Sequence, residues 1–95
     1  MNKATTRAWD PAEHLNAEEA QAAYLDAAME DGDQAIIAAA LGDIARARGM
    51  SDMARATGLS RESLYKALSQ DGNPEFATIL KVMKALGLRL SALPV

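Results

Sequence analysis

The sequence predicts an all-α fold closed by a short C-terminal β-strand, and three observations carry that expectation. Alanine is abundant and β-branched residues are few, which favours helix over sheet. Good capping residues stand before the apolar-periodic stretches: Asp10 with Pro11, Asn16, Asp33, Ser51, Ser60, and Asn73 with Pro74. Glycines close four of those stretches, at positions 32, 49, 58 and 87.

Asp10-Pro11-Ala12-Glu13 combines a capping Asp, Pro at the first helical position and Glu at the third. Trp9 precedes it, placed to fold back on the first turn. Asn16-Ala17-Glu18-Glu19 repeats the signature and opens a helix expected to reach about Asp31. Its apolar stripe is Leu25, Ala28 and Met29, with Tyr24 alongside, and Glu18, Glu19, Asp26, Glu30 and Asp31 make the other face acidic. Asp33 caps the next helix, which runs through Ile36, Ile37, Ala40, Leu41 and Ile44 to Arg48. More than half of its circumference is apolar, so it is expected at the centre of the core. Arg46 and Arg48 complement the dipole in its last turn.

Residues 50–69 read as two short helices joined by a tight turn. Ser51 is expected to cap the first, whose inward face is Met53, Ala54 and Thr57. Gly58 stands where that helix must stop, since glycine takes a left-handed conformation without steric cost. Leu59 fills the angle between the helices, and Ser60 caps the second, which turns Leu64 and Leu68 inward at i and i+4. Arg61, Glu62, Ser63, Tyr65 and Lys66 remain on its outer surface. Ala54, four positions before the turn glycine, lets the helices cross at close range. These are the spacings of a helix-turn-helix, whose second helix enters a DNA major groove. A plain αα-hairpin is the alternative, and Thr57 and Ala67 are smaller than the motif usually places there.

Gln70-Asp71-Gly72 reads as a turn, and Asn73-Pro74 as the start of a helix with Phe76, Ile79, Leu80, Met83 and Leu86 inward and Lys81 and Lys84 outward. Residues 88–93 then alternate with period two, as a strand does. A lone strand leaves backbone groups unpaired, so a second copy of the chain is its expected partner, with Met83 and Leu86 joining the interface.

Ninety-five residues suit one compact core. The organisation expected is an acidic helical arm over residues 1–32 packed on a domain formed by 33–95. The net charge of −3 divides unevenly. Residues 1–48 carry four bases against nine acids, a balance of −5, and residues 49–95 carry six against four, a balance of +2. Two partners of opposite charge are the natural reading, phosphate for the basic half and a cationic protein for the acidic one. There is no cysteine, so thiolate metal sites and disulfides are excluded and a cytoplasmic setting is expected. His14 is the only histidine, which makes neither a metal site nor a triad. No carboxylate pair, nucleophile constellation or phosphate loop argues for an enzyme, and no cofactor is expected. No apolar run approaches the ~20 residues that span a bilayer, and the first residues lack the apolar stretch of a signal peptide.

Three stretches together resemble a known family: I-A-R-A-R-G-M at 44–50, A-R-A-T-G-L-S-R-E-S-L-Y-K-A-L-S at 54–69, and G-N-P-E-F-A-T-I-L-K-V-M-K-A-L-G-L-R-L at 72–90. With W-D-P-A-E-H-L-N-A-E-E-A-Q-A-A-Y-L at 9–25, they resemble the probable addiction-module antidotes, HigA-like helix-turn-helix antitoxins of bacterial type II toxin–antitoxin modules. The resemblance covers about residues 9–93. It implies a lambda-repressor-like domain of five to six helices, a homodimer that represses its own operon, and a small basic partner, a toxin of the RelE/ParE superfamily. Ser60, Arg61, Glu62, Ser63, Tyr65 and Lys66 match the positions that face double-stranded operator DNA. The helix starts at Ser51 and Asn73 are expected to add phosphate contacts. A stand-alone phage-type repressor with no toxin, and an interaction module that does not bind DNA, are the alternatives.

Overall fold

Asp33 begins the helix on which three of the other four described helices rest. Its side chain accepts a hydrogen bond from the Ala35 N–H at 2.9 Å, and the helix runs over Gln34–Arg48. Leu41, Ile44 and Ala45 on this helix are fully enclosed, as its nearly all-round apolar sequence requires. The structure is a computed structural model that describes residues 17–95. The helix start at Asp10–Pro11, together with Trp9, His14 and Asn16, lies outside the described residues.

Five helices follow one another among those residues: α1 (Glu18–Glu30), α2 (Gln34–Arg48), α3 (Met50–Thr57), α4 (Arg61–Ala67) and α5 (Phe76–Ala85). The acidic α1 lies along α2, with Leu25 sunk into the core and Gln21 beneath the surface at 2 % exposure. Its N-cap is Ala17, which makes no side-chain cap bond. The core joins Leu41, Ile44, Met53, Leu64, Val82 and Leu86, drawn from α2, α3, α4 and the end of α5.

At Gly42, α2 meets the end of α4. A Cβ at that position would stand 2.1 Å from the Leu68 carbonyl oxygen, so the backbones approach as only glycine permits.

The loop from α4 to α5 departs from expectation. Asn73 does not cap α5: the helix begins two residues later, with Glu75 at its N-cap in extended conformation and no side-chain cap bond. Asn73 instead accepts a hydrogen bond from the Gln34 side chain, which ties the loop to the start of α2. Two residues expected inward are exposed, Phe76 at 62 % and Leu80 at 43 %. The stripe turned to the core is Ile79, Val82, Met83 and Leu86, and Phe76 and Leu80 stand on its flank, where the neighbouring helices leave them uncovered.

No strand occurs among the described residues, and 88–95 carry no regular structure. The physical reason lies at the end of α5. Gly87 takes φ +76°, and the Leu88 N–H reaches back to the Met83 carbonyl at 2.9 Å, a Schellman closure that folds Leu88 onto the core. The alternating leucines then have a use within the chain. Leu88 and Leu90 line a cleft of about 90 Å³ with Leu25, Met29 and Met83. Met83 and Leu86, expected at an interface between copies, are buried in their own subunit at 3 % and 0 % exposure.

Candidate nucleic-acid interface

Alpha-helices of eight and seven residues are too short to hold themselves together in water, so α3 and α4 depend on their ends and their neighbours. Gly58 terminates α3 in the left-handed region, φ 78° and ψ 10°, with its N–H on the Ala54 carbonyl at 2.9 Å. Thr57 bridges the corner: its hydroxyl donates to the Met53 carbonyl at 2.7 Å and accepts from the Leu59 N–H at 3.2 Å. The hydroxyl therefore does at this position what a larger aliphatic side chain would do by packing. Ser60 then caps α4, its oxygen accepting from the Ser63 N–H at 2.9 Å. The Ser60 and Ser63 hydroxyls lie 2.9 Å apart in a second bond.

Leu64, with no exposed surface, and Leu68, at 5 %, fasten α4 to the core. Arg61, Glu62, Ser63, Tyr65 and Lys66 consequently share an exposed face. The Arg61 guanidinium lies over the Tyr65 ring at 6.0 Å, one helical turn away, which steadies a long side chain that would otherwise sweep through solvent. Of the eight residues expected at this interface, α4 and its cap bring together Ser60, Arg61, Glu62, Ser63, Tyr65 and Lys66. Ser51 does not cap α3: the helix starts at Met50 with Gly49 at its N-cap, because Met50 turns into the core and draws position 50 into the first turn. Asn73 is held against Gln34.

The wider surface is polarised. Arg55, Arg61, Lys66, Lys81, Lys84 and Arg89 are all exposed, whereas Glu18, Glu19, Asp26, Glu30 and Asp31 cover the outside of α1. Among the described residues no cluster of His, Asp or Glu is fit to hold a metal ion, and no helix is long and apolar enough to cross a membrane.

Sequence reasoning did not find two polar links that position these elements. Arg48, at the end of α2, donates to the Gln21 side chain at 3.0 Å and to the Leu86 carbonyl at 3.1 Å, joining α1, α2 and the end of α5. Tyr24 donates to Asp43 at 2.6 Å, and Asp43 also takes the Arg46 guanidinium at 2.6 Å. Burial and then the hydrogen bond to Asp43 raise the Tyr24 phenol from 10.0 to about 12. The folded-state value is the higher one, so the stabilisation is complete below pH 10 and is lost as pH rises through about 12. Spectrophotometric titration should show one late-ionising tyrosine, and Asp43→Asn should bring it to lower pH.

A family model described as "Probable addiction module antidote protein" matches residues 5–94. The chain belongs to that family. It is also 57 % identical over 81 residues to an uncharacterized protein of Haemophilus influenzae, covering 85 % of this chain and 84 % of the relative. No solved structure matches it.

Proposed function

We propose that the protein is an antitoxin of a type II toxin–antitoxin module, HigA-like, which neutralises a RelE/ParE-superfamily toxin and represses its own operon. In this reading it acts in the cytoplasm by binding and not by catalysis, as a homodimer on a palindromic operator. The α3–turn–α4 pair serves as a lambda-repressor-like helix-turn-helix. Membership of the antidote family supports the antitoxin role. The observation that carries the DNA-binding half is α4 itself, pinned by Leu64 and Leu68 and presenting Arg61, Glu62, Ser63, Tyr65 and Lys66 outward. Arg61 lies in the first turn, where a recognition helix meets base edges, and its fork suits the O6 and N7 acceptors of guanine. Lys66, farther along, suits phosphate.

The acidic outer face of α1 is the surface offered to a basic toxin, where opposite charge speeds encounter. Leu25, on the apolar stripe of α1, is enclosed at 3 % exposure and takes no part in that surface. Tyr24 is partly buried at the edge of α1, with its hydroxyl on Asp43.

Operator binding by purified variants tests the reading. Arg61→Ala should cost about 1–3 kcal/mol and relax preference at one base position, while Lys66→Ala should weaken all sequences alike and lower the salt slope by about 1. Equal operator affinity of wild type and Arg61→Ala ends the Arg61 assignment, and a salt slope near zero ends DNA binding as a function. Co-expression with the product of the adjacent gene tests the antitoxin half: loss of protection when Asp26 and Glu30 are both changed to Lys is the expected result.

A further inference from the structure

The end of α1 and the start of α2 lie beside each other through alanines, Ala27 and Ala28 on one helix and Ala39 and Ala40 on the other. An alanine carries only a methyl group, too short to fill the furrow between two helix backbones. A groove of about 420 Å³ is left open there, and Tyr24 and Ile36 are the large apolar side chains on its wall. Ile36 is 41 % exposed in the first turn of α2. Asp43 is the one charged residue on the lining, and it already holds the Tyr24 hydroxyl and the Arg46 guanidinium. The groove therefore has no uncommitted charge with which to orient a small molecule. What it offers is an apolar seat with an exposed aliphatic edge, the character of a surface that another protein covers.

The charge around this seat indicates the partner. Residues 17–45 carry seven acids and no lysine or arginine. Glu30, Asp31 and Asp33 stand where α1 turns into α2, between the two helix ends that form the groove. All three are exposed, and none makes an ion pair with a described residue. Like charges set this close build a negative local potential, which a cationic surface relieves.

We propose that this groove seats an apolar side chain carried on a cationic surface of the toxin, with Ile36 as the anchor and Glu30, Asp31 and Asp33 around it. The proposal rests on the antitoxin reading, and it carries the contact from the outer face of α1 round to the furrow that α1 makes with α2. Charge and burial then act on different steps. The carboxylates draw the toxin in and raise the association rate. The anchor, once water has left the groove, sets how long the complex lasts.

Surface plasmon resonance with the full chain and the purified product of the adjacent gene tests this. Ile36→Ser empties the seat and Ala27→Trp, at an exposed position, fills it. Each should weaken binding roughly tenfold or more, chiefly through faster dissociation, while Ile36→Leu binds as wild type does. Helical circular dichroism should be unchanged in Ile36→Ser and Ala27→Trp, because both positions are exposed in the single chain. The double variant Glu30→Gln, Asp31→Asn should instead slow association and flatten its dependence on salt. Wild-type affinity in both Ile36→Ser and Ala27→Trp overturns the groove and leaves the antitoxin reading standing. An unchanged association rate in the carboxylate variant overturns the role given to the acids. A wild-type chain that does not bind the adjacent gene's product removes the antitoxin reading and this proposal with it. Trp9 is the only tryptophan. If Ile36→Ser shifts its emission in the unbound chain and keeps wild-type toxin affinity, the groove belongs to the residues that precede α1.

Discussion

Gly42→Ala should be among the most damaging single-methyl changes in this chain. Elsewhere in a helix, that substitution gains about 1 kcal/mol from propensity. Here the new Cβ would lie 2.1 Å from the Leu68 carbonyl oxygen, far inside contact distance, and the opposing group is backbone that cannot rotate aside. Either α2 and α4 separate or α4 turns, and Leu68 leaves its seat in both cases. Overpacking costs about 1–3 kcal/mol and sometimes more; a clash with backbone at this distance belongs at the upper end, about 3 kcal/mol, so a net loss of about 2 kcal/mol survives the propensity gain. A domain of this size should melt roughly 8–16 °C lower. Because α4 carries Arg61 and Lys66, operator affinity should fall as well. A variant that melts as wild type does would show that the helices part at little cost.

Arg48→Ala should be comparably severe for a different reason. The guanidinium satisfies the Leu86 carbonyl at 3.1 Å and the Gln21 side-chain oxygen at 3.0 Å, and Gln21 is 2 % exposed. Hydrogen bonds from a charged donor contribute about 1.5–3 kcal/mol each, and buried acceptors stripped of a donor retain their desolvation cost. A loss of about 2–4 kcal/mol is expected in denaturant unfolding. Arg48→Lys should recover only part of it: Nη2 serves Gln21 and Leu86 while Nη1 reaches the Ala85 carbonyl at 3.4 Å, and an ammonium would have to serve all three acceptors from one atom. Full stability in Arg48→Ala would mean that water replaces the link without penalty.

The order of the described helices was legible because it is written locally. Asp33 and Ser60 cap as their sequence contexts indicate, and Gly32, Gly49, Gly58 and Gly87 all take positive φ at helix ends. What failed was decided by tertiary demand. Ser51 is an acceptable cap, but burying Met50 pulled the start of α3 forward. Asn73 is another, yet its side chain was claimed by Gln34, 39 positions away. On α5 the core covers Val82 at one edge of the apolar arc and leaves Phe76 and Leu80 at the other edge exposed, which the helical period alone does not decide. The leucine alternation after Gly87 matches a strand in period, and a cleft against α1 fits the same spacing. Gly42 gave no local signal, because its role depends on where the last turn of α4 arrives.

The division of labour on α4 bears on how such a protein changes over generations. Its hold on the molecule comes from Leu64 and Leu68, and its outward side chains contribute little to that hold. Surface substitutions away from caps and packed groups usually move stability by no more than about 0.5 kcal/mol. Arg61, Glu62, Tyr65 and Lys66 can therefore be exchanged with little penalty to the fold, provided Ser60 and Ser63 keep the cap. Lineages descending from one such chain are free to drift in what α4 touches while inheriting the same interior, and the record of that divergence should concentrate in those four positions.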